Sequence, residues 1–338
     1  MVKHGVGATR IANAEAPERC RLCGAPNFDR HLHVADARFS SRIESFDIFR
    51  CRQCELCVMH PFPVPADFEE LYVQNSLFSK QAPNPSRHNF LFPLLEPIYR
   101  RYGDGRHFIV RNCRRLARRR PIRHLDIGCS TGALMDAFRT MVGGGADVAG
   151  IDVDLQAREN APNSLRENIL VGDPLQLDLP GDYDVITMEM VIEHLSDPLA
   201  YVRRCHELLR PGGILMLSTP NIYSKPARDQ GQQWWLIRGH REPVGHVHWF
   251  TPGSMRELAG RAGFRIVALR RRGSLVPYLP RWLYRAIEAF AGTDPHSGRL
   301  IRWYPVRILW ALVIDGWLSE VLNKGEYIYV FLVKDISE

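Results

Sequence analysis

Four cysteines near the start of the chain have the spacing of a metal site. Cys20 and Cys23 form one Cys-x-x-Cys pair, and Cys51 and Cys54 form a second pair after a linker of 27 residues. Four thiolates suit tetrahedral Zn²⁺, and a site with four protein ligands has no open position for catalysis. Close cysteine pairs are typical of metal binding in a reducing compartment, so we predict a structural zinc ribbon, with unligated surface cysteines as the alternative.

A glycine-rich turn follows an apolar run that ends on Asp126, with Gly128 and Gly132 on either side of it. Glycine adopts backbone conformations that are closed to other residues, and it lets a ligand approach the main chain. A nucleotide-like ligand can then lie at the carboxyl end of a strand, against the N-terminus of the next helix. Taken alone, this turn also suits a dinucleotide-binding fold.

The next apolar run, residues 146–152, ends on the acidic residue Asp152. A carboxylate at this position binds ribose hydroxyls in nucleotide-binding folds. The alternative is that Asp152 caps the following helix, since aspartate is a preferred N-cap residue.

Candidate acid–base residues follow a further apolar run, residues 183–188. They are Glu189, Glu193 and His194. An acceptor molecule should approach at this point, and a neutral imidazole near pH 7 could take its proton. The alternative is that His194 bonds the backbone and holds its loop.

A second histidine cluster, His246 and His248, precedes a helix that should begin at Thr251 and Pro252. Threonine is a good N-cap, and proline suits the first helical position. His246 is a candidate proton acceptor, whereas His248 is a candidate for substrate contact or for packing. Trp234 offers a flat apolar surface that suits a sugar ring or an aromatic acceptor, although core packing explains it equally well.

The elements that must position these residues can be predicted from the alternation of apolar runs. Strands are predicted at residues 46–50, 124–127, 146–152, 169–171, 183–188, 214–218, 264–269 and 327–333, and helices at 132–141, 199–209 and 254–262. Repeated β-α units indicate a mostly parallel sheet with helices on both faces.

Five segments resemble the motifs of the class I S-adenosylmethionine-dependent methyltransferases, in the order expected for that superfamily. They are residues 125–132, 150–154, 171–173, 182–198 and 208–215. One departure is Ser130, which stands where many members have glycine. The resemblance implies an α/β fold with a doubly wound, Rossmann-like sheet of seven mostly parallel strands, the last of them antiparallel.

The same resemblance implies S-adenosylmethionine as the cofactor. Gly128 and the backbone near Cys129 would meet its methionine end, Asp152 its ribose and Asp173 its adenine amino group. The full set of expected cofactor contacts is Asp126, Gly128, Cys129, Ser130, Gly132, Asp152, Val153, Asp173, Met188 and Glu189.

With its zinc ribbon, the chain is similar to a bacterial group that includes sugar C-methyltransferases. In that group the N-terminal unit lies over the active site, and an aromatic residue, here Tyr72, covers the cofactor. A Glu-His pair is the proton acceptor there, and in this chain Gly245 replaces the glutamate before His246. The Glu-x-x-x-Glu-His set that ends at His194 also resembles one that binds a divalent cation in some quinone-precursor O-methyltransferases.

The expected organisation is a flexible tail (1–15), a zinc-ribbon domain (16–65), a helical linker or lid (66–120) and a methyltransferase domain (121–338) with a helical insertion (274–323). The expected reaction is methyl transfer to a small molecule such as a sugar, glycolipid or natural-product precursor. O-methylation is slightly favoured because the glutamate is missing. The alternatives are an RNA methyltransferase with a zinc-containing head and a non-catalytic scaffold.

Charge and hydropathy restrict partners and location. The net charge is +7, with arginines concentrated between Arg100 and Arg123. Such residues either form solvated helix faces or contact an anionic substrate, RNA or an acidic membrane. The start lacks a signal-peptide pattern, and no apolar run reaches the ~18–20 residues of a spanning helix. We expect a cytoplasmic protein. Residues 279–322 should form a helical cap over the sheet or a dimer surface; the alternative is contact with the inner membrane face or a lipid-linked substrate. The oligomeric state is not predicted.

Overall fold

The computed structural model of the chain describes residues 16–35, 39–75, 105–117, 121–142, 146–239, 245–273 and 318–336. The predicted tail (1–15) lies outside these described residues, and so does the predicted helical insertion up to residue 317. Among the described residues, no helix combines the length and apolar character needed to cross a membrane.

The described elements alternate between strands and helices from residue 122 onward. The strands are β1 (Phe28–Val34), β2 (Phe46–Cys51), β3 (Cys57–His60), β4 (Ile122–Ile127), β5 (Ala146–Asp152), β6 (Ile169–Val171), β7 (Tyr183–Glu189), β8 (Leu209–Pro220), β9 (His248–Trp249), β10 (Phe264–Arg272) and β11 (Tyr327–Lys334). The helices are α1 (Pro65–Asn75), α2 (Gly105–Leu116), α3 (Ala133–Val142), α4 (Leu155–Glu159), α5 (Asn163–Arg166), α6 (Pro198–Leu208), α7 (Lys225–Gln230), α8 (Trp235–Arg238), α9 (Pro252–Arg261) and α10 (Ser319–Leu322).

The larger sheet has seven strands in the order β10-β11-β8-β7-β4-β5-β6. Strands β8, β7, β4, β5 and β6 run parallel, and β11 is antiparallel to both of its neighbours. The predicted fold class is therefore confirmed. Because the parallel strands share a direction, the carboxyl ends of β4, β5, β6 and β7 meet at one edge, and the site forms there.

Helices cover both faces of this sheet. On one face Phe108 of α2 and Phe138 of α3 pack against β4 and β8. On the other face Val202 of α6 and Leu258 of α9 are fully buried. Burial on both faces explains why the central strands read as continuous apolar runs in the sequence.

The start of β8 differs from the sequence-based expectation. The strand is predicted at residues 214–218, but β8 begins at Leu209 and includes Pro211, Gly212 and Gly213. The register against β7 shifts between Tyr183 and Val185. An irregularity of this kind lets a strand absorb residues that would otherwise form a turn.

The smaller sheet has four strands in the order β1-β2-β3-β9. Its fourth strand, His248–Trp249, comes from the part of the chain that follows β8. Cys57 pairs with Trp249 and Val58 pairs with His248. The cysteine-bearing segment therefore completes its sheet with a distant strand rather than within residues 16–65.

Candidate active site and metal centre

The four predicted zinc ligands lie together. The Sγ atoms of Cys20 and Cys54 are 3.5 Å apart, as are those of Cys23 and Cys51, and all four sulfurs lie within 4.8 Å of one another. With Zn–S bonds of about 2.3 Å, tetrahedral geometry places sulfurs roughly 3.8 Å apart. The cluster therefore fits one zinc ion.

Each cysteine pair ends in a tight turn. The N–H of Gly24 donates to the Cys20 carbonyl at 2.8 Å, and the N–H of Glu55 donates to the Cys51 carbonyl at 3.0 Å. Gly24 and Glu55 both have a left-handed φ, of 77° and 62°. The hydrogen bond between Cys20 and Cys54 lowers the pKa of Cys20 to about 5 and raises the pKa of Cys54, so the two thiols share a proton that a bound metal would displace.

The predicted cofactor turn has the backbone conformation that its glycines suggest. Gly128 and Gly132 have φ values of 73° and 84°, and Ser130 has a φ of 47°. A Cβ on Gly128 would lie 2.3 Å from Cγ2 of Val191. Ser130 thus adopts the left-handed conformation that glycine usually provides. Its N–H donates to Oδ2 of Asp152 at 2.8 Å.

Asp152 is held by the backbone on both of its oxygens. Besides the Ser130 contact, Oδ1 accepts a hydrogen bond from the Asp154 N–H at 2.9 Å. Burial raises its pKa. The N-cap of α4 is Asp154, which accepts from the N–H of Gln156. The alternative role of Asp152 as a helix cap is therefore wrong.

A cavity of about 610 Å³ opens at the ends of β4, β5 and β7, within the roughly 300–1,000 Å³ typical of small-molecule sites. Of the expected cofactor residues, Gly128, Ser130, Asp152, Val153 and Glu189 line it. A carboxylate for ribose beside an open main-chain turn fits S-adenosylmethionine.

The remaining expected cofactor residues do not line the cavity. Cys129 and Met188 are buried, and neither they nor Gly132 reach the cavity wall. Asp173 accepts a hydrogen bond from the Leu175 N–H at 2.9 Å, while its chain neighbours Gly172 and Pro174 line the wall. These four residues do not line the cavity in this structure, and their contact with the cofactor stays a prediction.

Asp126 lies beneath the turn rather than in the cavity wall. Its Oδ1 accepts a hydrogen bond from the Thr187 hydroxyl at 2.7 Å, and Nε2 of His124 contacts the same hydroxyl at 2.8 Å. Burial raises the pKa of Asp126 to about 8. Asp126 therefore supports the turn from within the core.

Three predicted acid–base residues lie close together, and two of them line the cavity. Glu193 and His194 lie on a 3-10 turn, Ile192–His194, and His246 lies just before β9. Nε2 of His246 is 3.7 Å from Oε1 of Glu193, and the two histidine ring centroids are 4.7 Å apart. His194 and His246 line the cavity. Long-range folding thus joins segments that lie more than fifty residues apart in the sequence.

Both histidines are oriented by backbone carbonyls. Nδ1 of His194 lies 3.0 Å from the Gly245 carbonyl oxygen, and Nδ1 of His246 lies 2.8 Å from that of Leu236. A carbonyl can only accept, so each Nδ1 carries the proton and each neutral ring has its lone pair on Nε2. Burial lowers the pKa of His194 to about 4 and that of His246 well below its usual value.

Glu193 is fully buried, and neither of its oxygens has a hydrogen-bond partner among the described residues. Burial raises its pKa to about 8. A carboxylate facing a nitrogen lone pair in a low-dielectric site is unfavourable, so a proton or a cation belongs between Glu193 and His246. Donor atoms of Glu193, His194 and His246 all lie within 4.8 Å of one another, and this set could hold a divalent cation.

Two predicted substrate residues, Trp234 and His248, lie away from the cavity in the structure. Trp234 is fully buried and does not line the cavity, whereas its neighbour Trp235 does. His248 is also fully buried, with its ring centroid 5.6 Å from that of Phe62. Both side chains pack in the core around the smaller sheet, as the packing alternative expects, and their contact with a substrate stays a prediction.

Helix α1 does contribute an aromatic residue to the cavity. Tyr72 lies on this helix, but its side chain is outside the described part of the structure. Phe68, four residues earlier, lines the cavity wall. The sequence analysis did not identify Phe68. Residues four apart share a helix face, so the prediction for Tyr72 could have pointed to Phe68 as well.

Comparisons with known proteins find similarity to methyltransferases. Residues 99–269 match the family model described as "Methyltransferase domain". The ubiquinone biosynthesis O-methyltransferase of Psychrobacter arcticus is 34% identical over 151 residues, which are 41% of this chain and 58% of the relative. The protein of that name from Cupriavidus pinatubonensis is 32% identical over 155 residues, 43% of this chain and 61% of the relative.

The chain thus spans about three fifths of the length of these curated relatives. Among solved structures, an S-adenosylmethionine-dependent methyltransferase from Mesorhizobium loti is 20% identical, with a TM-score of 0.42. That match covers 68% of this chain and 98% of the other. Because the family model matches half of the chain and includes the cofactor turn, the chain belongs to the methyltransferase-domain family.

Proposed function

We propose that this protein transfers a methyl group from S-adenosylmethionine to a hydroxyl group of a small-molecule acceptor. The observation that carries this proposal is that one cavity is lined both by Asp152 and by His194 and His246. Bound S-adenosylmethionine supplies an activated sulfonium methyl group, so the protein needs mainly to align the acceptor and remove one proton.

The roles of the chain's own residues follow from their contacts. Asp152, fixed by two backbone N–H groups, would bind the ribose hydroxyls. Glu193 and His246 would act as a pair that takes the proton from the acceptor hydroxyl. His194 donates its Nδ1 proton to Gly245, so its Nε2 can only accept; it would receive the hydroxyl proton first, before the proton passes to the pair.

The cavity wall favours a neutral acceptor with a flat ring. Phe68 and Trp235 supply aromatic surface, and no lysine or arginine lines the cavity among the described residues. A diphosphate-linked sugar or an RNA backbone would lack cationic partners, because phosphate groups bind to arginine, lysine or helix N-termini. A phenolic natural-product precursor or an uncharged sugar ring fits better. The curated relatives are named O-methyltransferases, which supports oxygen as the accepting atom.

The test is methyl transfer from radiolabelled S-adenosylmethionine to four kinds of acceptor: a catechol, a methyl glycoside, a nucleotide diphosphate sugar and total RNA. We expect label in the catechol or the glycoside and none in the nucleotide sugar or the RNA. Labelled RNA would favour the RNA methyltransferase instead. Calorimetry that detects no cofactor binding would favour the non-catalytic scaffold.

A metal-assisted form of this reaction is the second candidate. It is favoured by the fit of Glu193, His194 and His246 to a cation. A divalent cation there would lower the pKa of a bound hydroxyl group. Methyl transfer that requires added Mg²⁺ or Mn²⁺, in protein whose zinc content is unchanged, would support this form. Full activity after gentle chelation would support the proton-sharing pair.

Membrane contact, a lipid-linked substrate and a cytoplasmic location stay predictions. The basic segment on which the first two depend, residues 279–322, lies outside the described residues up to residue 317. Vesicle sedimentation with and without anionic lipid would test the first two.

A further inference from the structure

The metal site is connected to the proton-accepting pair by main-chain hydrogen bonds. Strand β3 begins three residues after Cys54 and pairs with β9. Next to this ladder, the N–H of Met59 donates to the Val247 carbonyl at 3.0 Å, and the N–H of Val247 donates to the Glu193 carbonyl at 3.0 Å. A shift of the second cysteine turn would therefore move the backbone that carries Glu193 and His246.

A side chain of the same cysteine turn adds a second connection. Oε2 of Glu55 accepts a hydrogen bond from the Thr251 hydroxyl at 3.2 Å, and Thr251 is the N-cap of α9. A Cβ on Gly253 would lie only 2.4 Å from this Oε2. The carboxylate thus lies against the first turn of α9, where the partial positive charge of the helix attracts it.

We propose that Glu55 is a positioning residue for the acceptor end of the cavity. It holds the second cysteine turn against the start of α9. The segment just before α9, which carries His246 and β9, thereby keeps its alignment with Glu193. The cofactor turn, residues 128–132, follows β4 and has no part in this contact. This inference rests on the proposed function, because it assigns Glu55 to the pair that would remove the acceptor proton.

Glu55→Ala should therefore lower kcat while the affinity for S-adenosylmethionine and the zinc content stay unchanged. Small misalignments of reacting groups can cost up to about 100-fold in rate, and we expect a loss of roughly 10- to 100-fold. Glu55→Gln keeps an oxygen for the Thr251 hydroxyl and should recover part of the loss.

Gly253→Ala provides an independent way to displace the same carboxylate. It should reproduce the loss of kcat, and the double variant Glu55→Ala/Gly253→Ala should lose no more than Glu55→Ala. The matched control is Gly260→Ala in the same helix, where an added Cβ meets no atom within 4 Å. This control should keep the wild-type kcat.

Hydrogen exchange supplies a readout that does not depend on turnover. Amides of residues 245–251 should exchange faster in Glu55→Ala, while those of residues 128–132 stay unchanged. Normal kcat in Glu55→Ala, additive losses in the double variant, or unchanged exchange at residues 245–251 would each overturn the inference. Absence of methyl transfer by the wild-type protein would count against the proposed function, and the exchange experiment would still decide the role of Glu55.

Discussion

Nε2 of His246 lies 3.7 Å from Oε1 of Glu193, and both side chains are buried. Nδ1 of the imidazole is committed to the Leu236 carbonyl, so the lone pair on Nε2 faces the carboxyl group. Two groups this close titrate as a pair rather than as separate residues. When a proton lies between Nε2 of His246 and the carboxyl group of Glu193, the pair cannot accept another. When that proton is absent, the pair can act as a base.

The first prediction concerns the pH dependence of methyl transfer. The pKa of Glu193 is raised to about 8, so the pair carries its proton below this pH and loses it above. We expect kcat to rise with pH, with a midpoint near 8. The Glu193→Gln variant should lose roughly 100-fold in kcat, the order expected for a general base, and should lack this step. A flat profile in the wild-type protein would argue against the pair as the base.

The second prediction concerns the cofactor. Asp152→Ala removes the carboxylate that would bind the ribose, and a hydrogen bond to a charged group contributes about 1.5–3 kcal/mol. Affinity for S-adenosylmethionine, measured by calorimetry, should fall by roughly 10- to 100-fold. The matched control is Asp147→Ala, an exposed aspartate at the start of the same strand. Equal affinity in the two variants would show that the ribose assignment is wrong.

The third prediction concerns the metal. Elemental analysis should find one zinc per chain, and Cys51→Ser should reduce it because a ligand is lost. Cys57→Ser is the matched control, since Cys57 is buried in β3 outside the four-sulfur cluster. Metal-free protein that keeps the hydrogen-exchange protection of residues 20–60 would contradict a structural zinc site.

The fourth prediction separates two adjacent tryptophans. Trp235 lines the cavity, so Trp235→Ala should mainly raise the acceptor KM, by the equivalent of about 0.5–1.5 kcal/mol for a lost aromatic contact. Trp234 is fully buried, so Trp234→Ala should mainly lower the free energy of unfolding, by about 3–5 kcal/mol. Kinetics and urea unfolding of both variants would check this, and the reverse assignment would show that Trp234 faces the acceptor.

The fifth prediction concerns stability against pH. Burial lowers the pKa of His124, His194, His246 and His248. Below pH 6.5 the unfolded chain therefore binds more protons than the native protein, and stability falls with falling pH. Each histidine contributes a slope of about 1.4 kcal/mol per pH unit.

The pKa values of Asp126 and Glu193 are both raised to about 8. They change the dependence of stability on pH in the opposite direction to the histidines. These carboxyl groups keep their protons in the native protein above pH 4.5 and lose them through pH 8, so stability falls as the pH rises. Burial also raises the pKa of Asp152, and below pH 6.5 the four histidines still outnumber these three carboxyl groups. We therefore expect the free energy of unfolding in urea to be greatest near pH 6.5, and a steady rise from pH 6.5 to 8 would be inconsistent with it.

Much of the fold could be predicted from sequence because its signals are local. Strands 146–152 and 169–171 lie where their apolar runs indicated, and the cap at Thr251 follows from threonine before proline. The start of β8 could not be predicted, because a Pro-Gly-Gly segment usually forms a turn. In the structure Leu209 already pairs with Tyr183 of β7, and residues 210–213 lie in the register shift before Ile214 pairs with Val185.

The local pattern of residue types was enough to locate the four cysteines, the glycine turn and the acidic end of β5. Each of these features acts through its immediate neighbours, and short-range backbone geometry is encoded in short stretches of sequence. Side-chain direction across long distances is a different matter. Only the packed fold decides that Trp235 rather than Trp234 lines the cavity, and that His246 lies beside Glu193. Burial against other elements sets both, and no local pattern carries that information.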